Sequence, residues 1–174
     1  MRTATGVAPR HTRVHPSSMD DASLLREAIR LAGLHSASGR NGPFGAVVAR
    51  GGEVVGEGWN RVVELGDPTA HAEVLAVRDA ARRLGTHVLE ECVLYCSCEP
   101  CPMCLAAAYW ARIPRVVFAA SKEDAARAGF DDADIYGELA TSWARRRTIG
   151  EQLLAAEGRT VLEAWRENRC KQEY

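Results

Sequence analysis

Asp67-Pro68-Thr69-Ala70-His71-Ala72-Glu73-Val74, read with Cys96-Ser97-Cys98-Glu99-Pro100-Cys101-Pro102-Met103-Cys104, decides how this chain is built. Cys101 and Cys104 are three apart, so on a helix they share one face. Pro100 and Pro102 favour a helix start, because the first-turn N–H has no intrahelical partner to lose. The positive end of the helix dipole there favours the thiolate form. Pro68 and Thr69 read as a turn and an N-cap ahead of His71. Val74, Val77, Ala81 and Leu84 then recur at helical spacing. Two helix starts therefore present one imidazole and two thiolates, a ligand set that suits a catalytic zinc with a fourth position left for water. Glu73, two residues after His71, leaves the helix on a different side. It is placed to carry protons beside the metal rather than to ligate it.

Each part alone has a plainer reading. A lone His at a helix start is usually a cap or a surface residue, and a lone Glu there complements the dipole. Cys-x-x-Cys alone serves structural zinc or redox pairs. Cys98, Cys101 and Cys104 also form C-x-x-C-x-x-C, an iron–sulfur spacing to which Cys96 could add a fourth thiolate. That assignment leaves His71 and Glu73 without a role. Cys96 and Cys98 are expected instead on a strand, Cys92 to Cys98, as small core residues or facing the pocket.

The chain has 174 residues with 47% hydrophobic and 26% charged side chains, the make-up of one ordinary globular domain. No apolar run approaches eighteen residues, so no transmembrane helix is expected. The first eighteen residues carry Arg2, Arg10, His11, Arg13 and His15 without an apolar centre, unlike a secretory signal. They read as a mobile tail, residues 1–18, ahead of a single domain, 19–174. Six cysteines without such a signal fit a reducing, cytoplasmic setting. A net charge of −1 argues against a nucleic-acid partner. Arg145-Arg146-Arg147 reads as a solvated turn.

Asp20 to about Leu34 reads as an amphipathic helix with Leu24, Ala28 and Leu31 on one face. Ala46 to Arg50 and Glu53 to Trp59 read as strands joined at Gly51-Gly52. Asn60 to Thr69 reads as a loop. A second helix is expected from about Ala70 to Leu84, and a third from Cys101 or Pro102 to about Ala111. A strand is expected at Arg115–Ala119, and a helix over Lys122–Ala128 that Gly129-Phe130-Asp131-Asp132 breaks. A short strand is expected near Ile149–Leu154, then helix over Glu157–Cys170. This alternation of strands and helices indicates a layered α/β domain.

The His-x-Glu and Pro-Cys-x-x-Cys pair matches the signature of the zinc-dependent base deaminases. With Gly42-Pro43-Phe44-Gly45, Asn60, Tyr109-Trp110-Ala111-Arg112, Ala128-Gly129-Phe130-Asp131-Asp132 and Glu173-Tyr174, the chain resembles the cytidine-deaminase-like superfamily, and within it the bacterial guanine deaminases. The resemblance implies a three-layer α/β/α fold with a mixed five-stranded sheet. It implies hydrolytic deamination of guanine to xanthine and ammonia by zinc-bound hydroxide, with one zinc per subunit on His71, Cys101 and Cys104 and Glu73 as proton shuttle. Asn60, the Ala72 backbone N–H and Asp132 would hydrogen-bond the purine. Phe44 and Trp110 would form aromatic walls, although from the residues alone both read as core packing. Tyr174 would close the pocket, with a C-terminal segment, about 155–174, exchanged across a homodimer. A carboxylate accepts only, so Asp132 suits the N–H donors on the guanine edge. Guanosine, other aminopurines and triazines are the alternative substrates. A non-catalytic zinc or iron–sulfur protein is the alternative class.

Overall fold

Strand β1 (Gly45–Arg50) is the reason the molecule has layers: its run Ala46-Val47-Val48-Ala49 is fully buried and must be covered on both faces. The computed structural model describes residues 18–130 and 133–172. It divides into two compact units, Met1–Ala120 and Ser121–Tyr174.

In the first unit β1 pairs antiparallel with β2 (Glu53–Trp59) across the Gly51-Gly52 turn. It pairs antiparallel with β3 (Cys92–Cys98) on its other side, and β3 pairs parallel with β4 (Arg115–Ala120). Among the described residues the order β2-β1-β3-β4 makes a mixed sheet of four strands rather than five. The strand expected near Ile149–Leu154 does not form; those residues precede a helix without regular structure. They are exposed, so no buried face rewards their pairing.

Helix α1 (Asp21–Ser36) covers one face, packing Leu24 and Leu31 against Val47, Ala49 and Tyr95. Its N-cap is Asp20, whose carboxylate accepts from the Ser23 N–H at 2.8 Å. The other face of β1, Ala46 and Val48, packs with Leu94 and Cys96 under α3 (Ala72–Leu84) and α4 (Pro102–Trp110). The three-layer arrangement is thus present in this unit.

Helix α3 buries a face that the sequence pattern did not single out. Ala72, Glu73, Ala76 and Ala80 lie deepest, while Val77 and Leu84 pack at the margin. The cause lies across the interface, in β2. A Cβ on Gly58 would sit 2.1 Å from the Ala72 carbonyl oxygen, and one on Gly56 would sit 2.4 Å from that of Ala76. Helix and strand backbones meet there, and only alanine fits between them.

The 60–69 segment is not wholly loop. It contains α2 (Val62–Leu65), closed by Gly66 in the left-handed region with φ 61°. The expected cap at Thr69 is also displaced: His71 is the N-cap of α3, and Thr69 instead bonds Asp67.

The second unit holds α5 (Lys122–Arg127), α6 (Ala133–Leu139), a 3-10 turn at Trp143–Arg145 and α7 (Ala155–Glu167). Ser121 and Asp124 form a reciprocal capping box on α5. The arginine run is not merely solvated. The Arg146 guanidinium lies 4.4 Å from the Trp143 ring centre, and Arg147 bridges Asp134 and Glu138. No described helix is long and apolar enough to cross a membrane.

Candidate active site

Parallel strands β3 and β4 are joined through α4, so the carboxyl end of β3 feeds directly into the amino end of that helix. In layered α/β sheets that position is where ligands bind. Cys101 occupies the N-cap of α4 and Cys104 its third residue, with Pro102 at the first helical position. His71 caps α3 on the same side of the sheet, so both helix starts converge as the sequence predicts.

The convergence is close. His71 Nδ1 lies 3.6 Å from Cys101 Sγ and 3.5 Å from Cys104 Sγ, and the two sulfurs are 3.5 Å apart. Tetrahedral zinc with its usual bond lengths sets such N···S and S···S separations at about 3.6 and about 3.8 Å. The three ligand atoms therefore fit zinc, and the donor set suits it. Because Nδ1 faces the sulfurs, Nε2 is the nitrogen that carries the ring proton.

Glu73 is the deepest acid of the chain's described residues, only 6% exposed. Its Oε2 lies 3.3 Å from Cys104 Sγ. Burial pushes its carboxyl upward, against the pull of hydrogen bonds from its own backbone and from Cys104. The thiols divide in opposite directions. Hydrogen bonds from Cys104 and His71 bring Cys101 down to about 4, in spite of burial. Cys104 is pushed up, because it shares its proton with Cys101, is buried and faces the Glu73 carboxylate. This set of groups holds one thiolate and one thiol proton in readiness for a cation, which replaces that proton on binding.

Cys96 and Cys98 are buried on β3, as expected, and neither belongs to the three-atom cradle. Burial and the nearby Glu73 charge hold the Cys96 thiol protonated.

The remaining sequence-derived residues fall into three groups. Asn60 follows β2 directly and is almost fully buried. Its Oδ1 accepts from the Gly42 N–H at 3.3 Å and the Val62 N–H at 3.4 Å, which leaves Nδ2 as its donor end. The Ala72 N–H is in the first turn of α3, where no intrahelical carbonyl reaches it. Phe44 is partly buried and packs on the core, as the plainer reading had it. Trp110, at the end of α4, is 64% exposed, which overturns the core-packing reading for that residue. Asp132, Tyr174 and the tail before Ser18 lie outside the described residues.

One contact had no sequence signal. The Ser97 hydroxyl accepts from the Gly45 N–H at 3.0 Å and ties the Phe44 loop to the end of β3.

Comparison with known proteins agrees with this geometry. Residues 18–120 match the family described as the cytidine and deoxycytidylate deaminase zinc-binding region. The chain belongs to this deaminase family. Guanine deaminase of Bacillus subtilis is 46% identical over 156 residues, which span 90% of this chain and 100% of that protein. Its X-ray structure superposes with a TM-score of 0.86, over 90% of this chain and 99% of that one. A structure of guanine deaminase from Nitrosomonas europaea is 29% identical with a TM-score of 0.63, covering 94% of this chain and 95% of that one. The tRNA-specific adenosine deaminase of Aquifex aeolicus is 50% identical over 78 residues, 45% of this chain and 52% of that protein. The zinc-binding deaminase region thus coincides with the first unit, where all three ligands lie.

Proposed function

We propose that this chain hydrolyses guanine at C2 to xanthine and ammonia. The observation that carries the chemistry is the buried Glu73 carboxylate beside the His71, Cys101 and Cys104 cradle. The substrate follows from the near full-length likeness to a guanine deaminase.

Zinc bound by the three ligands supplies Lewis acidity and brings the pKa of a bound water to about 7. The rest is the work of the chain. Glu73 takes a proton from the attacking water as its oxygen bonds to C2. It hands that proton to ring N3, then takes the second proton from the oxygen now on C2 and gives it to the amine as the C2–N2 bond breaks and C2=O forms, so its carboxyl ends the cycle as it began. Burial raises this carboxyl above the ordinary carboxylate range, which makes it a stronger proton acceptor than a solvated glutamate. Cys101 and Cys104 hold the metal as thiolates, and the helix starts that carry them favour that charge.

Asn60 Nδ2 and the Ala72 N–H donate to the purine, and Asp132 accepts from its N–H edge. Phe44 and Trp110 flank the ring, and Tyr174 closes over it. We assign the working form as a cytoplasmic homodimer that binds a small purine rather than nucleic acid or membrane. Its domain is 19–174, with segment 155–174 exchanged between subunits. The apolar side chains exposed on α7 support that exchange: Val161 and Leu162 are each 69% exposed and Trp165 is 47% exposed.

A panel of guanine, guanosine, other aminopurines, triazines and cytosine, scored for ammonia release, tests the assignment. Guanine should be the preferred substrate. Preference for guanosine or a triazine would replace the substrate, and silence toward the whole panel with zinc bound would refute the enzyme. Glu73→Ala should keep its zinc and lose turnover by about 10²–10⁴-fold, the usual worth of a positioned acid–base group.

A further inference from the structure

Around Asn60 five side chains from four separate segments close into a ring. The His35 and Trp59 rings stack with centres 3.8 Å apart and planes inclined by only 6°. The Arg61 guanidinium lies 5.6 Å from the centre of the Trp59 ring. Arg61 pairs with Glu64 at 2.7 Å, and the Arg61 guanidinium and, more weakly, the Asn41 amide hold the Glu64 carboxyl below its ordinary range. Asn41 Nδ2 returns to the His35 carbonyl at 3.5 Å, which completes the circuit. The ring joins the end of α1, the end of β2, α2 and the loop before β1.

The backbone inside this ring is held equally firmly. The Asn60 N–H donates to the Phe44 carbonyl at 3.0 Å, and the Arg61 N–H donates to that of Ala70 at 2.9 Å. The Asn60 side chain is pinned by Gly42 on one side of the ring and Val62 on the other. Arg61 Nε and Asn41 Oδ1 are buried in the ring without hydrogen-bond partners among the described residues. Folded proteins keep few such groups and tend to keep them where geometry matters more than stability.

We propose that the ring of His35, Trp59, Arg61, Glu64 and Asn41 is a positioning device that fixes the amide of Asn60 with its Nδ2 toward the substrate. The inference deepens the guanine reading and rests on it. An amide is nearly symmetric in shape, so nothing in its own packing separates oxygen from nitrogen. Two backbone donors, one from each segment that the ring clamps, make the choice by claiming the oxygen. Should the ring open, Gly42 and Val62 separate and the amide is free to turn, presenting an acceptor where the purine needs a donor. Glu64 is the natural point of attack, since its carboxylate stands between Arg61 and Asn41 and it is paired with no metal ligand among the described residues.

The test compares Glu64→Ala and Glu64→Gln with the wild type in zinc-loaded full-length enzyme. In Glu64→Ala, KM for guanine should rise about tenfold with kcat within about twofold, the worth of one well-oriented hydrogen bond. Zinc should remain at one per chain. Glu64→Gln keeps an oxygen for Arg61 and Asn41 and should recover most of the loss. An unchanged KM in Glu64→Ala overturns the proposal. So does a fall in kcat and zinc content at constant KM, or a Glu64→Gln enzyme as impaired as Glu64→Ala. If the wild type releases no ammonia from guanine, the substrate reading fails by itself, and amide exchange then judges the ring. Glu64→Ala should speed exchange at the Gly42 and Val62 N–H groups and leave Leu94 in β3 unchanged. Unaltered exchange at both amides overturns the ring.

Discussion

Gly58→Ala should disarm the site from behind. The added Cβ would lie 2.1 Å from the Ala72 carbonyl oxygen and 2.6 Å from the Ala76 N–H nitrogen. Those are backbone atoms in the first turns of α3, so no side-chain rotation relieves the clash. Restoring ordinary contact needs a shift of about 1 Å of helix or strand, and overpacking of this kind costs about 1–3 kcal/mol. The same shift moves His71, the cap of α3, away from the two sulfurs on α4. Metal sites tolerate about 0.2 Å in each ligand distance, so a 1 Å displacement should weaken zinc binding severely. Gly56→Ala makes a similar clash, 2.4 Å from the Ala76 oxygen and 2.6 Å from the Ala80 nitrogen, but a turn or more further from His71. It should cost comparable stability and keep more zinc. Urea unfolding and metal analysis of both purified variants give the comparison. A Gly58→Ala protein with full zinc and a stability within about 0.5 kcal/mol of wild type, the range of a neutral surface change, would refute the reasoning.

Three further outcomes can be measured with the same unfolding assay. Gly33 lies within α1 and a Cβ there meets nothing within 4 Å, so Gly33→Ala should stabilise the protein by about 0.5–1 kcal/mol. A loss of stability would show that α1 is packed differently. Arg112 ends α4 in the left-handed region with φ 60°, so Arg112→Gly should raise the unfolding midpoint, by about 1 kcal/mol of relieved strain. A lower midpoint would mean that the Arg112 side chain contributes more than its backbone costs.

The third outcome is a pH profile. The Tyr95 hydroxyl donates to Asp21 Oδ1 at 2.6 Å, and Arg115 bonds the same carboxylate. Bonds from Arg115 and Tyr95 hold the Asp21 carboxyl at about 2, while burial and then Asp21 push Tyr95 up to about 12. The Asp21 contribution is therefore present above its ordinary 3.8 and lost as pH falls toward 2. That of Tyr95 is complete below its ordinary 10 and lost as pH rises through about 12. Tyr95→Phe should lower the urea midpoint by a constant amount between about pH 5 and 9, narrowing beyond both ends. A difference that does not vary with pH would remove the network as its cause.

The metal ligands were legible because spacing alone constrains them. Cys101 and Cys104 share a helix face whatever the fold, and prolines at 100 and 102 announce where the helix begins. The hairpin at Gly51-Gly52 and the Leu24, Ala28 and Leu31 face of α1 were legible for the same local reason. Helix α2 was not: four residues cannot display a period, and its end is marked by a single glycine. The buried face of α3 was hidden because hydrophobic spacing favours Val and Leu. The contact with Gly56 and Gly58 selects alanine by size instead. The fifth strand failed because a few apolar residues such as Ile149, Leu153 and Leu154 make a strand only where a sheet edge receives them, and here all three are exposed.

By itself, then, the chain determined its chemistry. His71, Glu73, Cys101 and Cys104 stand at helix starts, where capping and dipole rules act over a few residues. Tertiary structure decided what those rules cannot reach. It brought His71 Nδ1 within 3.6 Å of both sulfurs, buried Glu73, and closed a ring from His35 to Glu64 around Asn60. Such contacts join residues far apart in sequence, and they exist only once the sheet has fixed where each helix begins.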